Sequence, residues 1–330
     1  VSDGPLGTPA QLAAVAAVLR NEDDFLVTAH QSPDADALGS LLAFGRICDQ
    51  LGKRATLLCL DPVPDNLRFL PGLERLVPDL PSKRHDRLIL LDCNTPDRVG
   101  PEFDAARPFA RAAVLDHHLT EQPFGDPAYV RPSAAATGEI VVELAAELGL
   151  SPDAAFATCA YTAIVGDTGG FRFSNTTPRI LRMAADLVAA GASPQAIAAA
   201  FFGGVPERRV RLLADALAGL ELHHDGRVAM LIIDQALLAK HGANRNDLEG
   251  FIDHARTIRG VEVAVQLREH APGDWRASLR ATGDVNVERV AAGFGGGGHK
   301  PAAGCPLKGD RDAVRAAMLQ ALGRALEPAA

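Results

Sequence analysis

Short runs of Leu, Val and Ile alternate along the chain with longer stretches whose apolar positions recur at helical spacing. The runs Phe25–Ala29, Ala55–Leu60, Arg87–Leu91 and Ala112–Leu115 predict buried strands. Ala37–Leu51, Ala134–Leu148, Asp153–Val165 and Pro178–Ala190 predict helices, the last opened by Thr177 as N-cap and Pro178 as first helical residue. Strands alternating with helices argue for a doubly wound parallel sheet up to about residue 190. Beyond Gly191 the pattern changes. Ser193–Phe202 and Pro206–Leu220 predict two helices, read as a connector. A second strand-bearing unit follows, with runs at Val228–Ile233, Val261–Leu267 and Trp275–Ala281, a helix over Asn246–Ile258 and a closing helix over Asp310–Leu326. The expected organisation is α/β throughout: an N-terminal domain over 1–190, a helical connector over 191–220 and a smaller C-terminal α/β domain over 221–330.

With 330 residues, 47% hydrophobic and 22% charged, the chain has the material for packed cores, which excludes a disordered or collagen-like sequence. Aromatics are only 5%, so Ala, Leu, Val and Ile must build those cores, which suits helices on parallel strands better than a β-sandwich. The net charge of −8 argues against a surface that tracks long duplex nucleic acid and leaves room for a local pocket for a short anion. Five cysteines (Cys48, Cys59, Cys93, Cys159 and Cys305), far apart and without C-x-x-C spacing, fit neither a disulfide framework nor a zinc ribbon. They point to a reducing, cytoplasmic setting. The apolar stretch Ala13–Leu19 is too short to span a bilayer and lacks a basic flank, so no membrane partner is expected.

The chemistry collects after the predicted strands. His30, Asp34 and Asp36 follow the first strand, Asp92 follows Arg87–Leu91, and Asp116, His117 and His118 follow Ala112–Leu115. In a parallel sheet these residues share the carboxyl edge, where open α/β sheets bind ligands. Asp167, in the Gly166–Gly170 turn after a predicted helix, can return to the same edge. Asp34 and Asp36 alone read equally well as helix caps. Four converging segments bearing Asp and His argue for divalent ions such as Mn²⁺ or Mg²⁺, and so many ligands for a binuclear centre. Asp61, also after a strand, is given no role, and Cys93 is read as packing.

A second cluster lies between Gly293 and Gly304. Four consecutive glycines, Gly295 to Gly298, let backbone N–H groups approach an anion, and His299 and Lys300 add donors. Ser278 and Arg280 lie shortly before, Arg280 as a candidate phosphate clamp. Phe294 is the one aromatic candidate beside the loop.

Taken in order, His30-x-x-Pro33-Asp34-x-Asp36, Asp92, Asp116-His117-His118, Asp167-Thr-Gly and Gly295-Gly-Gly-Gly-His299-x-x-Ala-Ala-Gly304 resemble the DHH/DHHA1 phosphoesterase family, in length and layout its nanoRNase and pAp-phosphatase branch. The resemblance implies an N-terminal DHH domain and a DHHA1 domain with the active site in the cleft between them. It implies that His30, Asp34 and Asp92 bind one metal and that Asp36, Asp92, His117 and Asp167 bind the other, with Mn²⁺ preferred over Mg²⁺. His118 would face the substrate phosphate and Asp116 would orient the histidines. Ser278, Arg280, Gly296, Gly297, Gly298, His299 and Lys300 would hold the nucleotide. The implied activity is hydrolysis of two-to-five-nucleotide RNA and 3′-dephosphorylation of phosphoadenosine phosphate (pAp), by water activated between two metals. A homodimer is compatible with this reading. The alternative within the family is a cyclic di-AMP phosphodiesterase; from other classes, a non-catalytic nucleotide-binding or tRNA-binding module.

Overall fold

The computed structural model describes residues 7–120 and 124–327, so the outer limits of the predicted domains, residues 1 and 330, lie outside the described residues. The chain divides into two compact units, Val1–Gly204 and Val205–Ala330.

In the first unit the order is α1 (Pro9–Asn21), β1 (Asp24–Thr28), α2 (Ala35–Gln50), β2 (Arg54–Leu58), β3 (Leu76–Val77), β4 (His85–Leu91), α3 (Pro101–Ala106), β5 (Phe109–Asp116), β6 (Ala128–Val130), α4 (Thr137–Glu147), α5 (Ala154–Asp167), α6 (Pro178–Ala189) and α7 (Pro194–Phe201). The six strands form one parallel sheet in the order β3-β2-β1-β4-β5-β6, the doubly wound arrangement expected. Strand direction of progress reverses between β1 and β4, which makes their carboxyl ends the topological switch point.

Side-chain alternation sets the two faces. Phe25, Val27, Leu57, Ile89, Leu91, Ala113 and Leu115 point into the larger core with α1, α2, α4 and α5. Leu26, Leu58, Leu88, Leu90 and Val114 point the other way, into a thinner layer with Val99, Phe103 and Phe109. The helical layer is close-packed because small residues meet. A Cβ on Gly39 would sit 2.5 Å from the Cys159 carbonyl oxygen, one on Gly138 2.5 Å from the Ala163 Cβ, and one on Gly166 2.6 Å from the Ala35 Cβ. These three contacts bring α2, α4 and α5 together at the ends that carry Asp36 and Asp167.

The second unit runs α8 (Glu207–Ala218), β7 (Glu221–His223), β8 (Val228–Ile233), α9 (Gln235–Lys240), α10 (Phe251–Arg256), β9 (Val263–Ala271), β10 (Asp274–Ala281), α11 (Val287–Ala292), β11 (Gly297–His299), β12 (Ala302–Lys308) and α12 (Arg311–Leu326). Its mixed sheet has the order β11-β12-β10-β9-β8-β7, with only β8 and β9 parallel. Val265, Leu267, Trp275, Ala277 and Leu279 pack with α11 and α12 on one face. Ala229, Leu231 and Ala264 pack with α8 and α10 on the other.

Three expectations change. The predicted connector is not a separate element: Ile197 of α7 is buried in the first unit's core, and Leu212 and Ala216 of α8 in the second's. The predicted helix over Asn246–Ile258 is broken, because Gly250 adopts φ +72°, leaving a 3₁₀ turn at Arg245–Leu248 and then α10. Asp167 is the last residue of α5 rather than part of the turn beyond it. All five cysteines are free, and Cys93 is buried as packing. Among the described residues no single helix is long and apolar enough to cross a membrane.

Candidate metal centre

At the switch point the loops after β1, β4 and β5 and the ends of α2, α4 and α5 bring the predicted ligands together. Three overlapping groups have the composition and spacing to hold a metal ion: His30, Asp34 and Asp92; Asp36, His117 and Asp167; and Asp92, His117 and His118. The first matches the expected trio. In the second, Asp92 completes the expected set from 3.5 Å, measured Oδ1 to His117 Nε2. Asp92 also lies 3.3 Å from His30 Nε2, so it belongs to both sides. His118, expected to face substrate only, also stands close enough to share a group.

Local structure explains each position. Asp34 is the N-cap of α2, its Oδ1 accepting the backbone N–H groups of Asp36 and Ala37. The capping role read from sequence therefore holds for Asp34, whose Oδ1 also lies 3.8 Å from His30 Nε2. Asp36 lies inside the helix and is buried, its Oδ1 accepting from Ser40 Oγ (3.0 Å) and Gly138 N–H (2.8 Å) and its Oδ2 from Thr137 N–H (2.6 Å). Helix α4 has no side-chain cap of its own, so Asp36 caps it from α2. Asp92 adopts φ +58°, a left-handed conformation that Asp tolerates better than most residues, and its Oδ1 accepts from Thr137 Oγ1 at 3.0 Å. Asp61 is not idle: its carboxylate accepts the Ser32 N–H in the loop between His30 and Asp34.

The imidazoles are oriented by backbone carbonyls and one carboxylate. His30 Nδ1 meets the Gln31 oxygen at 2.8 Å and His117 Nδ1 the Ala134 oxygen at 3.4 Å, which turns both Nε2 atoms toward the carboxylates. His117 Nε2 is buried with no hydrogen-bond partner, although oxygens of Asp167, Asp92 and Asp36 lie 3.1, 3.5 and 3.6 Å away. An orphaned nitrogen facing three carboxylate oxygens fits a divalent cation of the Mn²⁺ or Mg²⁺ type. Buried Asp116 accepts both the backbone N–H (3.1 Å) and Nδ1 (2.9 Å) of His118, leaving that ring's Nε2 outward on a half-exposed side chain.

Burial disfavours charged imidazole at His30, but Asp92 and the Gln31 carbonyl outweigh it and push the group up to about 9. Burial is likewise outweighed at His117 by Asp167 and Asp92, which push it up to about 11. Burial, then Asp92 and Asp167, push the Asp36 carboxyl well above the usual carboxylate range. Burial would do the same to Asp92, but the neighbouring imidazoles of His117 and His30 hold it well below that range. Such opposed shifts in one cluster mark a site built for a charge it must borrow.

In the second unit, Ser278 and Arg280 share one face of β10 and are half-buried. Gly295, at φ +73°, closes α11 in a Schellman turn: Gly296 N–H bonds the Ala291 oxygen and Gly295 N–H the Ala292 oxygen. The Gly296 amide is thus spent on the helix end and is not available to an anion. Gly296 and Gly298 are required for packing, since a Cβ would lie 2.1 Å from the Gly304 oxygen and 2.5 Å from the Ala302 oxygen respectively. Gly297 faces open space and His299 is exposed. Lys300 pairs with Asp284 at 3.0 Å, and Phe294 packs against the core. Sequence reasoning missed Ser40, Thr137 and Gly138 at the metal centre. It also missed Arg245, Arg268 and Arg276, which line a pocket of about 490 Å³ in the second unit.

Residues 24–164 match the DHH family, N-terminal domain, and residues 225–327 match the DHHA1 domain. The bifunctional oligoribonuclease and PAP phosphatase NrnA of Thermus thermophilus is 35% identical over 318 residues, covering 94% of this chain and 93% of that protein. The protein of the same name from Bacillus subtilis is 25% identical over 291 residues, 86% of this chain and 90% of its own length. Among solved structures, an exopolyphosphatase-related protein from Bacteroides fragilis superposes with a TM-score of 0.88 at 26% identity over 96% of both chains. Both domains in their expected order, and a relative of this identity over nearly the whole length, show that this chain belongs to the DHH/DHHA1 phosphoesterase family.

Proposed function

We propose that this chain hydrolyses short RNA oligonucleotides, of about two to five nucleotides, to mononucleotides and removes the 3′-phosphate of pAp, using two divalent ions with Mn²⁺ preferred. The observation that carries the reading is the pair of ligand groups joined through Asp92, with His30 and Asp34 on one side and Asp36, His117 and Asp167 on the other. The relatives named as bifunctional oligoribonuclease and PAP phosphatase along nearly their full length support the substrates. When bound, the ions supply Lewis acidity and an activated water for in-line attack at phosphorus.

The chain's own residues do the rest. Thr137 Oγ1 and the α4 N-terminus hold Asp92 and Asp36 in place before any substrate arrives. Asp116 accepts the Nδ1–H of His118 and favours that ring's imidazolium form, whose outward Nε2–H then donates to a phosphoryl oxygen as charge builds there. Ser278, Arg280, Gly297, Gly298 and His299 grip the nucleotide, with Lys300 joining once it leaves Asp284. Five free cysteines fit a reducing cytoplasm as the working compartment.

A second reading, cyclic di-AMP hydrolysis, is favoured by one relative. The cyclic-di-AMP phosphodiesterase GdpP of Geobacillus thermodenitrificans is 25% identical over 87% of this chain, which spans 45% of that protein. Turnover of a 5′-phosphorylated dinucleotide, pAp, cyclic di-AMP and pyrophosphate side by side with Mn²⁺, against an Asp92→Asn blank, separates the readings. Fastest cleavage of the dinucleotide together with pAp supports the proposal. Faster cyclic di-AMP turnover moves the chain to the second reading, and no metal-dependent turnover of any substrate removes both.

A further inference from the structure

One half of the second unit's sheet carries positive charge that no carboxylate among the described residues pairs with. Arg268 on β9 stands directly opposite Arg276 on β10, and Gln266 opposite Ser278. All four lie on the face turned away from α11 and α12, because the alternating residues Val265, Leu267, Ala277 and Leu279 fill the core there. Arg245, from the 3₁₀ turn before α10, completes the pocket together with His270. Among the described residues, none of these three guanidinium groups forms an ion pair, whereas Arg208, Arg227 and Arg315 nearby each pair with a carboxylate.

One buried donor sharpens the point: Arg268 Nε has no hydrogen-bond partner. Like charges directly opposite one another on adjacent strands destabilise a sheet. Burial, then Arg245 and Arg276, accordingly pull the Arg268 pKa down. A pocket that concentrates unpaired donors at that cost is built for an anion, and planar guanidiniums suit phosphate oxygens.

Arg276 lies four residues along β10 from Arg280, about 13 Å at strand rise. We propose that Arg245, Arg268 and Arg276 hold a phosphodiester of an oligonucleotide beyond the nucleotide gripped at Arg280 and His299, a position pAp does not reach. The inference rests on the proposed activity and deepens it: the pocket selects oligonucleotide over pAp.

The test uses the full chain with Mn²⁺, a 5′-phosphorylated trinucleotide and pAp, comparing wild type with Arg268→Gln and Arg245→Glu. Arg245 is exposed, so its variant keeps the fold if the half-buried Arg268 site does not tolerate change. Each variant raises the trinucleotide KM about tenfold or more, as loss of a charge-assisted phosphate contact should, and flattens its salt dependence. pAp kcat/KM stays within about twofold of wild type, a small fraction of that effect. Equal losses on both substrates, or an unchanged trinucleotide KM in both variants, overturn the inference while leaving the proposed activity standing. A wild type that cleaves neither substrate removes the activity itself, and the inference with it.

Discussion

Asp36 caps a helix that is not its own: its Oδ2 accepts the N–H of Thr137 at 2.6 Å, joining the first turn of α2 to the first turn of α4 across 101 residues of sequence. One carboxyl group thus satisfies orphan amides of a helix start and turns its Oδ2 toward His117 Nε2, 3.6 Å away. Folding and the geometry of the candidate metal centre are coupled at this contact, since the α4 amides that hold Asp36 arrive only when α4 docks.

That docking depends on Gly138. Gly138→Ala places a methyl 2.5 Å from the Ala163 Cβ, which cannot rotate away, and overpacking of this kind costs about 1–3 kcal/mol. The expected outcome is a lower midpoint in denaturant melts together with weaker Mn²⁺ binding. Adding Ala163→Gly removes the opposing methyl and leaves contacts of 3.3 Å or more, so the double variant recovers most of both losses. A double variant no better than the single one would show that the α4–α5 approach does not govern the site.

The residues of the candidate metal centre were legible in the sequence because a parallel sheet sends every strand terminus to one edge, so His30, Asp92 and His117 could be placed together from the sequence alone. Ser40, Thr137 and Gly138 were not, because their role is to touch Asp36, and such contacts carry no local pattern. Helix α1 was passed over although Thr8 and Gln11 form a capping box, since its Ala-rich run has a weak apolar stripe. Strand β12 alternates Ala303, Cys305 and Leu307 inward with Gly304 and Pro306 between them, a period of two muted by small residues and a Pro. The Arg268–Arg276 pair was hidden for a different reason: it exists only in the β9–β10 register.

Asp92 joins the two ligand groups, so its removal should silence both. Asp92→Asn is the suitable variant, because Asn also tolerates the left-handed backbone at φ +58° and the change is then one of charge. Mn²⁺ at about a hundred times its dissociation constant should stabilise wild type by about 2.7 kcal/mol, visible as a rise in Tm. Asp92→Asn should show little or no rise. A shift equal to wild type would remove Asp92 from the ligand set.

Asp116 reaches the chemistry only through His118. Its Oδ1 accepts two N–H groups of that residue, and it belongs to none of the three potential metal groups. Asp116→Ala should therefore lower kcat by about 10–100-fold, the usual scale for losing a carboxylate that orients a working histidine. The Mn²⁺ concentration giving half-maximal activity should change far less than kcat. A parallel collapse of metal affinity would mean that Asp116 holds the metal centre rather than the ring of His118.

At the opposite edge of the same sheet, Glu22 and buried Arg87 form a two-pronged pair, 3.0 Å to Nε and 2.6 Å to Nη2, with Arg111 at 3.3 Å. The hydrogen bonds from Arg87 hold the Glu22 carboxyl below its ordinary value of 4.5. A carboxyl depressed on folding adds stability above its unfolded pKa and loses it as pH falls through the folded one. At pH 7 Glu22→Gln should therefore cost about 2 kcal/mol, the scale of a charge-assisted hydrogen bond, while Arg87 keeps the Asp126 oxygen at 2.9 Å. As pH falls from about 4.5 through the lower folded pKa, the wild-type carboxylate takes up a proton and the two proteins should converge, wild type losing stability more steeply. Urea melts of both proteins between pH 7 and 3 measure the gap, and a gap that stays constant across that range would show that the pair stabilises the fold by packing rather than by charge.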